Sequence, residues 1–378
     1  MPKSTPTPFS KISVTLNRDA LLSLYDRLTS LVEKLPGGLQ KPILGELVPI
    51  RELFLEQRPA RILLLGGSGK SVPEFLHSVA GISVETGESD NSWRVYRVPD
   101  RGEILIADAR LDTPQTVFNA ALSRFTPDAV LLLHESQHDD SAVELAAERM
   151  AACPKETPLV AVSFGGDRAR ARLSALLSGE REFSMRKIAF CAPEAGNSVP
   201  EAVCAVLPNA ARLEFARLTG ARQGQAQIAS TLLKSFTAVC GVIGLQPIPL
   251  ADMPILTTLQ TLLVGLIIYT SGKAVTPRVV GEFLGALGLN IGAGILFREG
   301  ARAIIRIVPV WGNAVSGIVA GAGTYAVGRT AIAYFIEDIP IAESKKLFQK
   351  LLPGWDAFKR HRLPALTRSK EDDSSAEK

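Results

Sequence analysis

Between residues 61 and 206, short apolar runs alternate with amphipathic segments of about one helix length. The runs fall near 61–65, 94–98, 102–107, 128–133, 158–163 and 187–191. The segments between them fall near 70–80, 115–124, 140–152, 167–178 and 198–206. Such alternation predicts a three-layer α/β fold, a mostly parallel sheet with helices on both faces. Runs 94–98 and 102–107 have no helix between them, so they read as one antiparallel hairpin turning at Asp100-Arg101-Gly102.

After residue 229 the composition changes. Residues 229–297 hold five charged side chains: Lys234, Asp252, Lys273, Arg278 and Glu282. Residues 253–272, "MPILTTLQTLLVGLIIYTSG", and 307–328, "IVPVWGNAVSGIVAGAGTYAVG", hold none. Both stretches are long enough to cross a bilayer. They serve equally well as the buried helices of a compact bundle. An apolar all-α domain is therefore expected over 209–340, following an α/β domain over 59–208.

The remaining segments are short. Residues 1–15 are rich in Pro, Ser and Thr and are expected to be disordered, as are the polar residues 367–378. In the helical segment 16–58, Asn17 caps a helix carrying Leu21, Leu24, Leu28, Leu31 and Leu35. "LPGGLQKP" breaks that helix, and a second covers 43–57. The tail, 341–366, mixes Leu347, Phe348, Leu351, Leu352, Trp355 and Phe358 with lysines and arginines. This reads as a pair of interfacial helices broken at Pro353-Gly354, or as a helix docked on the bundle with solvated lysines. Residues 341–362 carry six Lys/Arg against Glu343 and Asp356, an excess equal to the chain's whole net charge of +4.

That net charge is too small to argue for a nucleic-acid partner. Cys153, Cys191, Cys204 and Cys240 show no C-x-x-C spacing and read as buried thiols. The four histidines form no metal pattern. "MPKSTPTPFSKISVTLNRD" has no apolar centre, so no secretory signal is expected there, and the bulk of the protein is expected in the cytoplasm.

The stretch "RILLLGGSGKSVPEFL" (61–76) reads as strand, glycine turn and helix, with Gly69-Lys70-Ser71 at the helix start. Backbone N–H groups there attract anions, a lysine adds charge, and a hydroxyl can bind magnesium. The phosphate-loop pattern G-x-x-x-x-G-K-S/T places its first glycine at Leu64; counted from Gly66, the loop is two residues short. The bland reading is an ordinary strand–turn–helix with a solvated Lys70.

The order of strands and helices over residues 60–207, with its single hairpin, resembles that of the Ras-like and Era-like P-loop GTPases. This implies GTP or GDP with magnesium, held by Gly66, Gly67, Ser68, Gly69, Lys70, Ser71, Asp108 and Asp167. Ser71, Thr86 and Asp108 are the implied magnesium ligands. Each motif departs from the family pattern. "ILIADARLD" has Asp108 but Leu111 where D-x-x-G has glycine. "VAVSFGGD" has Asp167 but Phe164 and Gly165 in place of the residues that support guanine. Cys191-Ala192 matches the last motif loosely. Asp108 and Asp167 also read as strand-end carboxylates that cap the next helix. With no water-positioning residue after Asp108, hydrolysis is expected to be weak or absent.

"QPIPLADMPILTTLQ" (246–260), "LGLNIGAGILFREGARAIIRIVPVWGNAVSG" (287–317) and "GTYAVGRTAIAYF" (323–335) resemble an uncharacterised bacterial helical domain. That domain occurs after Era-like GTPase domains and in YcjF-type inner-membrane proteins. The resemblance implies membrane association on the cytoplasmic side of a bacterial inner membrane. Beside it, Arg298, Arg302 and Arg306 share one helix face, suited to anionic lipid or to pairing with Asp252, Glu282 or Glu299. Asp252 reads as a helix cap. Gly317, Gly321, Gly323 and Gly328 give a small-residue face for close helix packing, and self-association is possible.

Together these readings suggest a regulatory or scaffolding GTPase-like protein with a membrane or membrane-protein partner. An active GTP-hydrolysing switch is one alternative. A component of a transport or channel assembly, with Gln260 and Asn290 as its polar groups, is another.

Overall fold

The computed structural model describes residues 25–26, 29–30, 32–33, 37–67, 69–89, 92–99, 101–135, 141–184, 186, 188–191, 198–244, 252–289 and 312–352. The expectations for residues 1–15, Asn17, Ser68, Asp100, Ala192, Asn290, the Arg298–Arg306 stripe and the tail beyond residue 352 lie outside these residues. The chain divides into two compact units. One comprises residues 49–228 with 270–273; the other comprises 1–48, 229–269 and 274–378.

Helix α1 (Gly37–Ile50) runs into a π-helical turn, Arg51–Leu55. "GGLQKP" thus lies inside a helix, where the sequence reading placed a break. The sheet unit continues as β1 (Ala60–Gly67), α2 (Val72–Ala80), β2 (Glu85–Ser89), β3 (Arg94–Val98) and β4 (Gly102–Asp108). Next come α3 (Gln115–Arg124), β5 (Ala129–Glu135), α4 (Ser141–Ala151), β6 (Leu159–Phe164) and α5 (Gly166–Gly179). One helical turn, Arg181–Ser184, precedes β7 (Ile188–Cys191), α6 (Ser198–Val206) and α7 (Asn209–Thr219).

The seven strands lie in the order β2-β3-β4-β1-β5-β6-β7. Only β3 runs against its neighbours, and its pairing with β4 is the expected hairpin. Strand β2 is additional to the sequence expectation. Its residues, "ETGES", include no large apolar side chain, so no strand signal marks them.

β1 is central and buried on both faces, as an apolar run without alternation requires. Leu63 and Leu65 share a core with Val130, Leu132, Phe118, Met150 and Leu173, drawn from β5 and helices α3, α4 and α5. Ile62 and Leu64, which point the other way, are equally buried. Helix α7 packs on β1 and β4, and the Glu214 carboxylate accepts the Glu103 N–H at 2.9 Å. Residues 209–228 therefore belong with the sheet, although their sequence reads as the start of the helical domain.

A half-buried ion pair lies beside the start of β1. Arg58 donates from both terminal nitrogens to Asp128 at 2.6 Å, and the Arg61 N–H donates to the same carboxylate at 2.9 Å. The hydrogen bonds it donates to Asp128 hold the Arg58 guanidinium above its ordinary pKa.

The helical unit contains most of α8 (Arg222–Gly244), then α9 (Asp252–Thr270), α10 (Pro277–Ala286), α11 (Gly312–Phe335) and α12 (Ile341–Leu351). A Cβ on Gly328 would lie 2.5 Å from Leu233 and 2.8 Å from Leu263, so α11 meets α8 and α9 at glycine distance. Gln260 donates to the Thr324 hydroxyl at 3.2 Å, which pairs a polar group inside the bundle. Phe283 packs on Tyr334 and Phe335, joining α10 to α11. Leu263, Val264, Leu266, Ile267 and Ile268 are all buried by protein. Helix α12 docks on α11 with Phe348 fully buried while Lys345, Lys346 and Lys350 stay exposed. Among the described residues one helix, Arg222–Gly244, is long and apolar enough to cross a membrane, and half of its apolar window is buried within the protein.

Candidate functional site

The carboxyl ends of β1 and β4 open onto a cavity of ≈ 380 Å³. Its walls are Gly67, Gly69, Lys70 and Ser71 on one side and Asp108 with Arg110 to Thr113 on the other. Here the chain reverses its direction of progression through the sheet. β1 connects towards β4 on one side, and β5 connects outward to β6 and β7 on the other. The crevice beyond strand ends at such a point is the usual ligand position in α/β sheets.

Each predicted site residue has a definite place. Gly66 sits in β1 with φ +88, and a Cβ there would fall 2.1 Å from the Leu133 carbonyl oxygen of β5. The glycine is thus required by strand packing alone. Gly67 pairs with His134, and His134 with Ser163, so three small or polar residues form one row beneath the loop. Lys70 extends its ammonium over the Phe164 ring, 4.6 Å from the centroid. The β6 end, expected as the degenerate guanine motif, therefore meets the lysine of the β1–α2 loop through a cation–π contact. Asp167 lies in the first turn of α5 and is exposed, just after Gly165 and Gly166 with φ +118 and +75. It does not line the cavity.

Ser71 is the N-cap of α2. Its hydroxyl accepts from the Glu74 N–H at 3.4 Å, and its own N–H donates to the Glu74 carboxylate at 2.8 Å. The hydroxyl also lies 2.9 Å from that carboxylate. This is a complete capping box, with Pro73 in the first turn. The bonds from Ser71 hold the Glu74 carboxyl below its ordinary range. A carboxylate of the chain itself therefore sits at the helix start, where an anion would otherwise be drawn.

Asp108 is equally committed. Arg110 donates to it from Nε at 2.8 Å and from Nη2 at 2.7 Å, and reaches the Lys70 carbonyl oxygen from Nη1 at 2.6 Å. The pairing with Asp108 raises the Arg110 pKa. One guanidinium thereby ties the end of β4 to the loop after β1.

Thr86 is elsewhere. It lies in β2, opposite Tyr96, which stands opposite Ile104, which stands opposite Ala60. It shares the row of Ala60 at the start of β1, seven residues from Gly67, or about 23 Å at the rise of a strand. The sequence placed Thr86 in a loop at the site; β-pairing carries it to the other end of the sheet.

The residues present therefore do not fit a magnesium–nucleotide complex. The Ser71 hydroxyl is capped, both Asp108 oxygens are held by Arg110, and Thr86 is remote. Among the described residues no group of three or more His, Cys, Asp or Glu side chains is arranged to hold a metal ion. Glu74 was open to discovery in the sequence, because Ser71-Val72-Pro73-Glu74 matches the S-x-x-E capping signature. Arg110 occupies a position that the D-x-x-G pattern leaves unspecified. No protein-family model matches the chain, and no curated protein matches it.

Proposed function

We propose that this chain is a membrane-associated, GTPase-like protein whose nucleotide site is degenerate and whose role is regulatory or scaffolding. The observation that carries the reading is the Asp108–Arg110–Lys70 bridge across the mouth of the cavity. It spends the acidic residue on an internal cation. Further support comes from the central position of β1 in a sheet whose only reversed strand belongs to the expected hairpin. Membrane association is supported by the apolar helix Arg222–Gly244 and by the exposed lysines of α12.

Isothermal titration of the full-length protein with GTP, GDP and ATP, with and without magnesium, tests the nucleotide part. The expected result is no magnesium-dependent binding in the micromolar range. Micromolar, magnesium-dependent, guanine-selective binding that Lys70→Ala abolishes would replace this reading with an active GTP-binding switch. Cell fractionation tests the membrane part, which fails if the protein stays wholly in the soluble fraction.

A further inference from the structure

We propose that Arg149 is the positioning residue of this site, holding the 109–113 wall of the cavity in one conformation whatever the cavity contains. The inference rests on the GTPase-like reading above and adds what that reading leaves open: whether the module can report a ligand by moving.

Arg149 projects from α4, and its side chain is buried. Its Nη1 donates to the carbonyl oxygens of Ala109 and Arg110, and its Nη2 to that of Thr113. The guanidinium lies 5.4 Å from the centre of the Phe118 ring. Among the described residues no carboxylate forms an ion pair with it. A buried cation without a counter-charge is unfavourable compared with an apolar side chain of similar volume. What the arginine offers instead is three donors in a rigid fork, matched to three carbonyls, of which that of Arg110 also accepts the Thr113 N–H at 2.8 Å. An apolar replacement would remove the donors that Ala109 and Thr113 receive from Arg149, while the Arg110 oxygen would keep the Thr113 N–H at 2.8 Å.

The wall is fastened from its other side as well. The Ala109 N–H donates to Leu64 at 3.0 Å, and the Leu111 N–H donates to Gly66 at 3.0 Å, both carbonyls of β1. The Thr113 hydroxyl donates to the Asp108 carbonyl at 3.2 Å, and Arg110 reaches Lys70. The five residues thus lie between β1 and α4 with bonds to both. A conformational switch needs an element with two arrangements of similar free energy. In this structure Ala109, Arg110, Leu111 and Thr113 each bond outside the wall through a backbone group, while Asp112 is exposed. The module then serves as a fixed platform and does not signal by moving this loop.

Hydrogen exchange of the full-length protein, read by mass spectrometry, tests the proposal. In the absence of nucleotide, amides 109, 111 and 113 are expected to exchange on the order of 100-fold more slowly than in an unstructured peptide, or slower. Exchange within about tenfold of the unstructured rate overturns the proposal and leaves the nucleotide reading untouched. Added GTP or GDP with magnesium is expected to leave these amides unchanged. A change in them, seen together with binding by titration, overturns both. Arg149→Met is expected to speed exchange at 109–113 while amides of β5 keep their protection, and Arg149→Lys is expected to restore part of the loss. Equal acceleration in the wall and in β5 would mean that Arg149 is merely structural, and the proposal falls.

Discussion

Arg110 holds both carboxylate oxygens of Asp108, two residues away along the chain, and reaches the Lys70 carbonyl with its remaining terminal nitrogen. Arg110 is the more sheltered partner, its side chain 15% exposed against 38% for Asp108. Removing Asp108 strands a largely sheltered cation. Asp108→Ala should therefore destabilise the ligand-free protein by about 1–2 kcal/mol, measured by urea unfolding. A carboxylate kept free for a metal would show no such loss.

Ser71 is a helix cap, so Ser71→Ala should cost about 1 kcal/mol of stability with or without nucleotide. Its partner Glu74 adds a pH signature. The folded carboxyl titrates below its ordinary value of 4.5, so its stabilising contribution is fully present above that value and is lost as pH falls through the lower folded one. Glu74→Gln should flatten the acid side of the plot of melting temperature against pH and leave the neutral region shifted only slightly. An unchanged acid limb would argue against the cap.

Gly66→Ala should be severe. It combines a left-handed backbone angle with a Cβ that would overlap the Leu133 carbonyl oxygen of the neighbouring strand. A loss of about 3 kcal/mol or more is expected, or failure to fold. Gly69→Ala meets open space and should be mild by the same assay. If phosphate binding were the reason for both glycines, the two variants would instead differ little in stability.

The cysteines should be inert. Burial pushes the Cys153 and Cys191 thiols up to about 11 and Cys204 up to about 12. At pH 8 these thiols stay protonated, so an aromatic disulfide reagent should label the protein only after denaturant is added. Rapid labelling of the native protein at that pH would contradict the burial of these side chains.

Much of the sheet was legible because its signal is local. Each apolar run from 61 to 191 became a strand, and each segment between became a helix near its expected bounds. β2 was not legible, since its pairing with β3 is made by backbone groups that any sequence possesses. That invisible pairing is also what removed Thr86 from the site. The candidate site divides the same way. Lys70, Ser71 and Asp108 line the cavity as the strand–turn–helix pattern implied. Their partners were harder to read: Glu74 through a short-range signature, Arg110 through no motif, and Arg149 through contacts 36 to 40 residues distant in sequence. The tail was legible as an amphipathic helix. Only packing decided that Phe348 faces protein.

The three carbonyls held by Arg149 set an order of assembly. Residues 109–113 leave the ribosome well before position 149, and until α4 docks on the sheet the Ala109 and Thr113 oxygens lack the donors that Arg149 supplies. The cavity wall is therefore among the last parts of the sheet unit to be completed during synthesis. A nascent chain shorter than about 150 residues holds every side chain that lines the cavity, yet has no cavity of this shape.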